Sequence, residues 1–160
     1  MTAENAAMPP ILGVYETHLT VSNLKASVDF YRNVVGLELA SRFEERRVVF
    51  LWVGGKETGM LGLWETGSSP MRMRLHIALH MRKDDILRAP AILKQNDVQP
   101  LGFHGETVNE PVVIGWMPAL SLYFADPDGH SIELISILDD DPDADFGIQP
   151  LSQWEKRNPS

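Results

Sequence analysis

Glu133 sits in the middle of an apolar run, Ser131-Ile132-Glu133-Leu134-Ile135-Ser136-Ile137. Strand side chains alternate between faces, so Ile132 and Leu134 share one side, and Ser131 and Glu133 the other. A carboxylate in such a strand is costly to bury unless it is hydrogen-bonded to a partner or bound to a cation. Two further apolar runs carry ionisable groups in the same alternating manner. Glu16, His18 and Thr20 share one face of 13–21, opposite Tyr15, Thr17, Leu19 and Val21; His76, Ala78 and His80 alternate with Leu75, Ile77, Leu79 and Met81. Either a carboxylate–imidazole pair or a cation site is the chemistry these side chains could supply.

The elements that must position them follow from the pattern. Residues 1–10 are small and polar, end in Pro-Pro and read as a loose leader. After the first strand, Ser22-Asn23 supplies a helix start, and Val28, Tyr31, Val34 and Val35 recur at helical spacing until Gly36. Strands are expected at 37–42, 48–53 and 60–64, with a charged turn at 44–47 and a loose glycine-rich connection at 54–59. Residues 66–70 form a linker, and the pattern then restarts: strand 75–81, a helix from Asp84 to about Gln95 that Pro90 is expected to bend or shorten, a strand beginning at 98–101, and a long mixed segment, 103–118. The apolar runs flanking Ala125-Asp126-Pro127-Asp128-Gly129 read as a closing hairpin. Glu16 to Gly36 and His76 to Asn96 both span 20 positions, and an insertion of about 11 residues within 103–118 keeps the later strands in step. The chain therefore reads as an α+β fold of two strand-helix-strand-strand-strand modules, about 11–66 and 71–138, followed by an acidic tail, 139–160, in which Leu151 to Trp154 is expected to dock back.

Composition bounds the partners. The chain has 160 residues, no cysteine, 44% hydrophobic residues and a net charge of −8. That rules out disulfides, thiolate ligands and a cysteine nucleophile, is compatible with the cytoplasm, and argues against nucleic acid as a partner. No apolar run approaches the roughly 20 residues of a membrane helix.

Three stretches, T-H-L-T-V-S-N-L-K-A-S-V-D-F-Y-R-N-V-V-G-L-E-L, L-H-I-A-L and L-Y-F-A-D-P-D-G-H-S-I-E-L, make the chain resemble the vicinal-oxygen-chelate superfamily of glyoxalases, extradiol dioxygenases, fosfomycin-resistance enzymes and bleomycin-resistance proteins. The resemblance spans 13–137. It implies that two βαβββ modules curl into a cup-shaped half-barrel with a divalent metal at its base. The ligands it implies are Glu16, where relatives usually have histidine, His76 and Glu133; the glyoxalase-type fourth ligand falls at Gly62 and is absent. One imidazole and two carboxylates suit Mn²⁺, Fe²⁺, Ni²⁺ or Zn²⁺ with places open for substrate oxygens. His18 is the alternative first-strand ligand or a general base, and Glu133 a catalytic as well as a ligating group. The tyrosine that fosfomycin-resistance enzymes place near substrate corresponds to Tyr123; Trp64 and His80 are further candidates for the wall, along with Trp52 and Trp116. His104 and His130 read as surface or turn residues.

Three functions compete. One is a metal-dependent lyase, isomerase or dioxygenase acting on a small oxygen-rich metabolite, expected by resemblance to be a homodimer. The second is a metal-free ligand-sequestering protein of the bleomycin-resistance type. The third is an interaction domain whose cup is filled by its own side chains.

Overall fold

In the computed structural model, which describes residues 12–56, 58–66 and 73–158, the expected repeat is visible in the order of the strands. The first module runs β1 (Glu16–Val21), α1 (Leu24–Asn33), β2 (Glu38–Phe43), β3 (Val48–Trp52) and β4 (Met60–Glu65). The second runs β5 (His76–His80), α2 (Lys83–Gln95), β6 (Val112–Ile114), β7 (Ala119–Ala125) and β8 (Ser131–Ile137). The first sheet has the order β1-β4-β3-β2 and the second begins β5-β8-β7-β6, so that β1 runs parallel to β4 and β5 parallel to β8. Both sheets are open rather than closed barrels. The leader, and most of the expected linker, lie outside the described residues.

Each helix forms for local reasons and packs for tertiary ones. Asn23 caps α1, its side chain accepting from the Ala26 amide at 2.9 Å. The helix buries Leu24, Val28 and Tyr31, and Gly36, at φ 83°, turns the chain out of it. In α2, Asp84 and Asp85 sit in the first turn, where the helix dipole favours negative charge. The helix continues through Pro90 to Gln95: losing one backbone donor is outweighed by burying Ile86, Ala89, Pro90 and Leu93. Leu19, Leu61 and Leu63 from the first sheet and Leu122, Ile132 and Leu134 from the second join one apolar cluster with both helices. The faces bearing Glu16 and His18, and His76 and Glu133, are left on the other side of their sheets.

Two expectations are corrected. Residues 98–101 do not form a strand; only Leu101 makes isolated bridges, to Thr107 and Tyr123. Pro100 has no N–H for a ladder, and the β-branched run Val112-Val113-Ile114 takes the second-strand role instead. His130, read as a surface or turn residue, is completely buried. It joins the modules, Nε2–H donating to the Thr20 carbonyl at 2.7 Å while Nδ1 accepts from the Leu75 amide at 3.0 Å. The same turn supplies Asp126, which accepts from the Tyr31 hydroxyl at 2.9 Å and from the His130 amide at 2.8 Å. Burial, and then the neighbouring Asp126 carboxylate, hold the Tyr31 hydroxyl far above the ordinary tyrosine range.

The acidic segment after Leu138 adds β9 (Ile148–Pro150), antiparallel to β6, and α3 (Leu151–Arg157). Trp154 is buried, edge-on to Phe146 with centroids 4.8 Å apart, and donates to Asp140 at 3.0 Å. Among the described residues no helix is long and apolar enough to cross a membrane.

Candidate functional site

On the second sheet, β5 and β8 run side by side, so His76 and Glu133 meet across 57 residues of chain. His76 Nε2 lies 3.2 Å from Glu133 Oε2. The other carboxylate oxygen accepts from the Tyr123 hydroxyl at 2.8 Å, Tyr123 standing directly opposite Glu133 in the β7–β8 ladder. Ser131, one alternation step before Glu133, places Oγ 3.3 Å from His76 Nδ1. Only 5% of Glu133 is exposed, so its charge depends on these neighbours. Burial first, and then the hydrogen bond and charge of Glu133, raise the Tyr123 hydroxyl well above the ordinary tyrosine value. Tyr123 is therefore a fixed donor at neutral pH.

These four polar side chains open into a hollow of about 570 Å³. Its walls are Leu101, Phe103, Ile114, Trp116, Met117 and Ile135. The size is that of a small-molecule site. Ser131, Phe103 and Met117 were not singled out from the sequence. The strand alternation that exposed Glu133 would also have found Ser131, whereas Phe103 and Met117 lie in an irregular segment with no period to read.

Glu16 and His18 lie on the first sheet and form a separate arrangement. The Trp64 indole N–H, which can only donate, points at His18 Nδ1 from 2.5 Å. Nδ1 therefore holds the lone pair, and Nε2 carries the hydrogen that faces Glu16 Oε1 at 2.6 Å. Both ring nitrogens of His18 are engaged, leaving the second oxygen of Glu16 as this cluster's open donor site. The ring lies over Gly62, where an added Cβ would be 2.8 Å from Nδ1. Phe50 packs edge-on to the imidazole at 5.9 Å and Arg46 stacks on Trp64 at 4.8 Å.

The structure thus brings together His76, Glu133 and Tyr123, and separately Glu16, His18 and Trp64. His80 is exposed and lies outside the lining of the hollow. Among the described residues, no group of three His, Asp or Glu side chains lies close enough to hold one ion. His76 and Glu133 fit two places of a mixed nitrogen and oxygen shell, one short of the three protein ligands of a catalytic zinc site.

Residues 12–134 match the Glyoxalase/Bleomycin resistance protein/Dioxygenase superfamily. The chain belongs to this superfamily. Among solved structures, an integron cassette protein from the mobile metagenome of the Halifax Harbour sewage outfall is 34% identical, covering 79% of this chain and all of that one with a TM-score of 0.69. A lactoylglutathione lyase from Agrobacterium tumefaciens shares the fold at 21% identity, covering 79% of this chain and 95% of its own with a TM-score of 0.61. A genomically encoded fosfomycin resistance protein from Listeria monocytogenes does so at 21% identity, covering 81% and 94% with a TM-score of 0.59.

Proposed function

We propose that this chain is a divalent-metal-dependent enzyme (a lyase, isomerase or dioxygenase) working on a small oxygen-bearing metabolite in the hollow above Glu133. The observation that carries the reading is the convergence of His76 Nε2 and Glu133 Oε2 at 3.2 Å, one nearly buried, at the floor of that hollow. A nitrogen and a carboxylate oxygen so placed are donors for manganese, iron, nickel or zinc. Such an ion, when bound, supplies Lewis acidity toward substrate oxygens. The chain's own residues do the rest. Tyr123 holds the Glu133 carboxylate in one orientation, Ser131 does the same for His76, and the wall residues exclude water. Glu16 is proposed as the remaining ligand, oriented by His18. Because no described residue completes the shell within one chain, the first sheet of a second copy is proposed to bring Glu16 to His76 and Glu133, in a homodimer.

A second reading, ligand sequestration without metal, has its own support: Tyr123 and His76 already satisfy both oxygens of Glu133. Metal analysis of the purified protein separates the two, with manganese, iron, nickel and zinc offered in turn. The enzyme reading expects stoichiometric binding of one of these ions and its loss in His76→Ala. Equal, negligible metal in both proteins would overturn it in favour of sequestration.

A further inference from the structure

We propose that residues 138–157 form a strap that sets one wall of the hollow: gripping 110–118 from outside, it decides where Trp116 and Met117 stand. The inference rests on the reading of this hollow as the working site and uses none of its metal chemistry.

The two modules differ at this place. β2, six residues long, is the bare edge of the first sheet. Its counterpart β6 has three residues, and a further strand, β9, lies beyond it. So short a strand makes few ladder bonds to β7, and β9 gives it a second set on its outer side. The rest of the strap extends the grip residue by residue. The Glu110 carboxylate accepts from the Ser152 amide and hydroxyl, at 3.0 and 2.9 Å. The Pro111 carbonyl accepts from the Leu151 amide at 3.0 Å, and Val112, Val113 and Ile114 pair with Pro150, Gln149 and Ile148. Gly115 donates to the Gly147 carbonyl at 2.8 Å and accepts from the Asp143 amide at 2.9 Å. The Pro118 carbonyl accepts from the Leu138 amide at 2.7 Å. Trp116 and Met117, between the last two of these contacts, carry their side chains into the lining of the hollow.

The strap is anchored by its own side chains. Phe146, Leu151 and Trp154 are buried in the apolar cluster, and Arg157 pairs with Asp143 at 2.5 Å. Gly115 is pressed so close beneath it that an added Cβ would collide with the Asp143 carbonyl oxygen and stand 2.9 Å from the Phe146 side chain. Surfaces packed this tightly transmit displacement, so wall and strap move together. Trp116 is 63% exposed and has little packing of its own, so its place follows the backbone on either side of it. The strap lies beyond the residues matched to the superfamily, which end at 134, so the shared fold does not by itself supply this grip.

The test attacks the grip from both sides in the full chain: Trp154→Ala loosens the strap, and Gly115→Ala drives it off the wall. Amide exchange and nitrogen relaxation of the indoles read the result, the Trp116 signal being picked out of four by its loss in Trp116→Phe. In both variants the amides of 112–115 are expected to exchange about tenfold faster, and the Trp116 indole to shift and gain motion. The Ser131 amide, bonded to the Leu75 carbonyl on the floor of the hollow, should keep its parent rate. Trp154→Phe keeps an aromatic ring against Phe146 and gives up the indole hydrogen bond to Asp140; it is expected to bring Trp116 most of the way back. A Trp116 signal unmoved in either Trp154→Ala or Gly115→Ala would overturn the inference. So would loosening that spreads evenly to Ser131, or the unfolding of both variants, since each would make the segment a general support of the fold. These readouts need neither metal nor ligand, so they judge the strap separately from the enzyme reading, which metal analysis decides.

Discussion

The imidazole of His18 lies over the bare Cα of Gly62, close enough that a Cβ at that position would stand 2.8 Å from Nδ1 and 3.1 Å from Cε1. The position where the family resemblance placed an absent fourth ligand is thus occupied in space by a histidine from the neighbouring strand. Gly62 and Trp64 together fix which nitrogen of His18 faces Glu16. Gly62→Ala is expected to displace the ring, break the Trp64 hydrogen bond and cost about 1–3 kcal/mol of stability. Nitrogen-resolved NMR of the imidazole reads the result directly: a single Nε2–H tautomer in the parent protein, and mixed tautomers in Gly62→Ala and in Trp64→Phe. An unchanged tautomer in both variants would show that neither residue sets it.

Sharing of one site between two copies has a signature no single variant can give. Glu16→Ala and His76→Ala should each abolish tight metal binding. Mixed, unfolded and refolded together, the two variants of the proposed homodimer should form hybrids in which one site recovers Glu16 from one chain and His76 and Glu133 from the other. Metal content of the mixture should rise to roughly a quarter of the parent level, the statistical share of restored sites when one dimer in two is hybrid. A mixture that binds no more metal than its components would place all ligands of a site on one chain, or show that there is no such site.

What the sequence revealed of the site was what strand alternation can carry. Glu133 and Ser131 fall on one face and Ile132 and Leu134 on the other because a strand has a period of two, and the matching restart at His76 exposed the duplication. Long-range partners were not legible in the same way. The pairing of Trp64 with His18 depends on β1 lying parallel to β4, and the burial of His130 on a turn of one module meeting Thr20 of the other. Local composition around His130, rich in Asp, Pro and Gly, speaks only of a turn. The displaced second strand, at Val112–Ile114 instead of near Val98, shows the same limit: ladder position is decided by which segment can donate hydrogen bonds to β7, and Pro100 cannot.

The buried Tyr31–Asp126 contact joins the modules and makes stability sensitive to alkali. The Tyr31 hydroxyl is held above its ordinary value of 10.0 by burial and by Asp126. Its contribution is therefore complete below about pH 10, where the unfolded chain also keeps the proton, and declines as pH rises further because only the unfolded chain can release it. Tyr31→Phe should cost about 1–3 kcal/mol at pH 8 by leaving Asp126 short of a donor. That deficit should narrow by about 1.4 kcal/mol per pH unit above pH 10. Urea melts of both proteins at pH 8, 10 and 11 measure it; a deficit constant across the series would mean that Tyr31 ionises in the folded protein as freely as in the unfolded chain.

Tyr123 distinguishes an orienting role from a packing one. Its hydroxyl donates to the Glu133 oxygen that does not face His76, so Tyr123→Phe removes that hydroxyl and its one hydrogen bond to Glu133, and nothing from the ring's contacts with Phe103 and His76. If Glu133 is a metal ligand, losing the partner that orients it should weaken metal affinity by roughly 10- to 100-fold. The melting temperature should fall by no more than the loss of one hydrogen bond allows. If instead the carboxylate serves only to hold the strands together, the balance reverses. Stability then falls by about 1–3 kcal/mol, the cost of a buried acceptor left unpaired, and affinity for manganese, iron, nickel or zinc is unaltered. Paired isothermal titrations and denaturant melts on the same preparation decide between the two, because the hydroxyl is the only atom that differs.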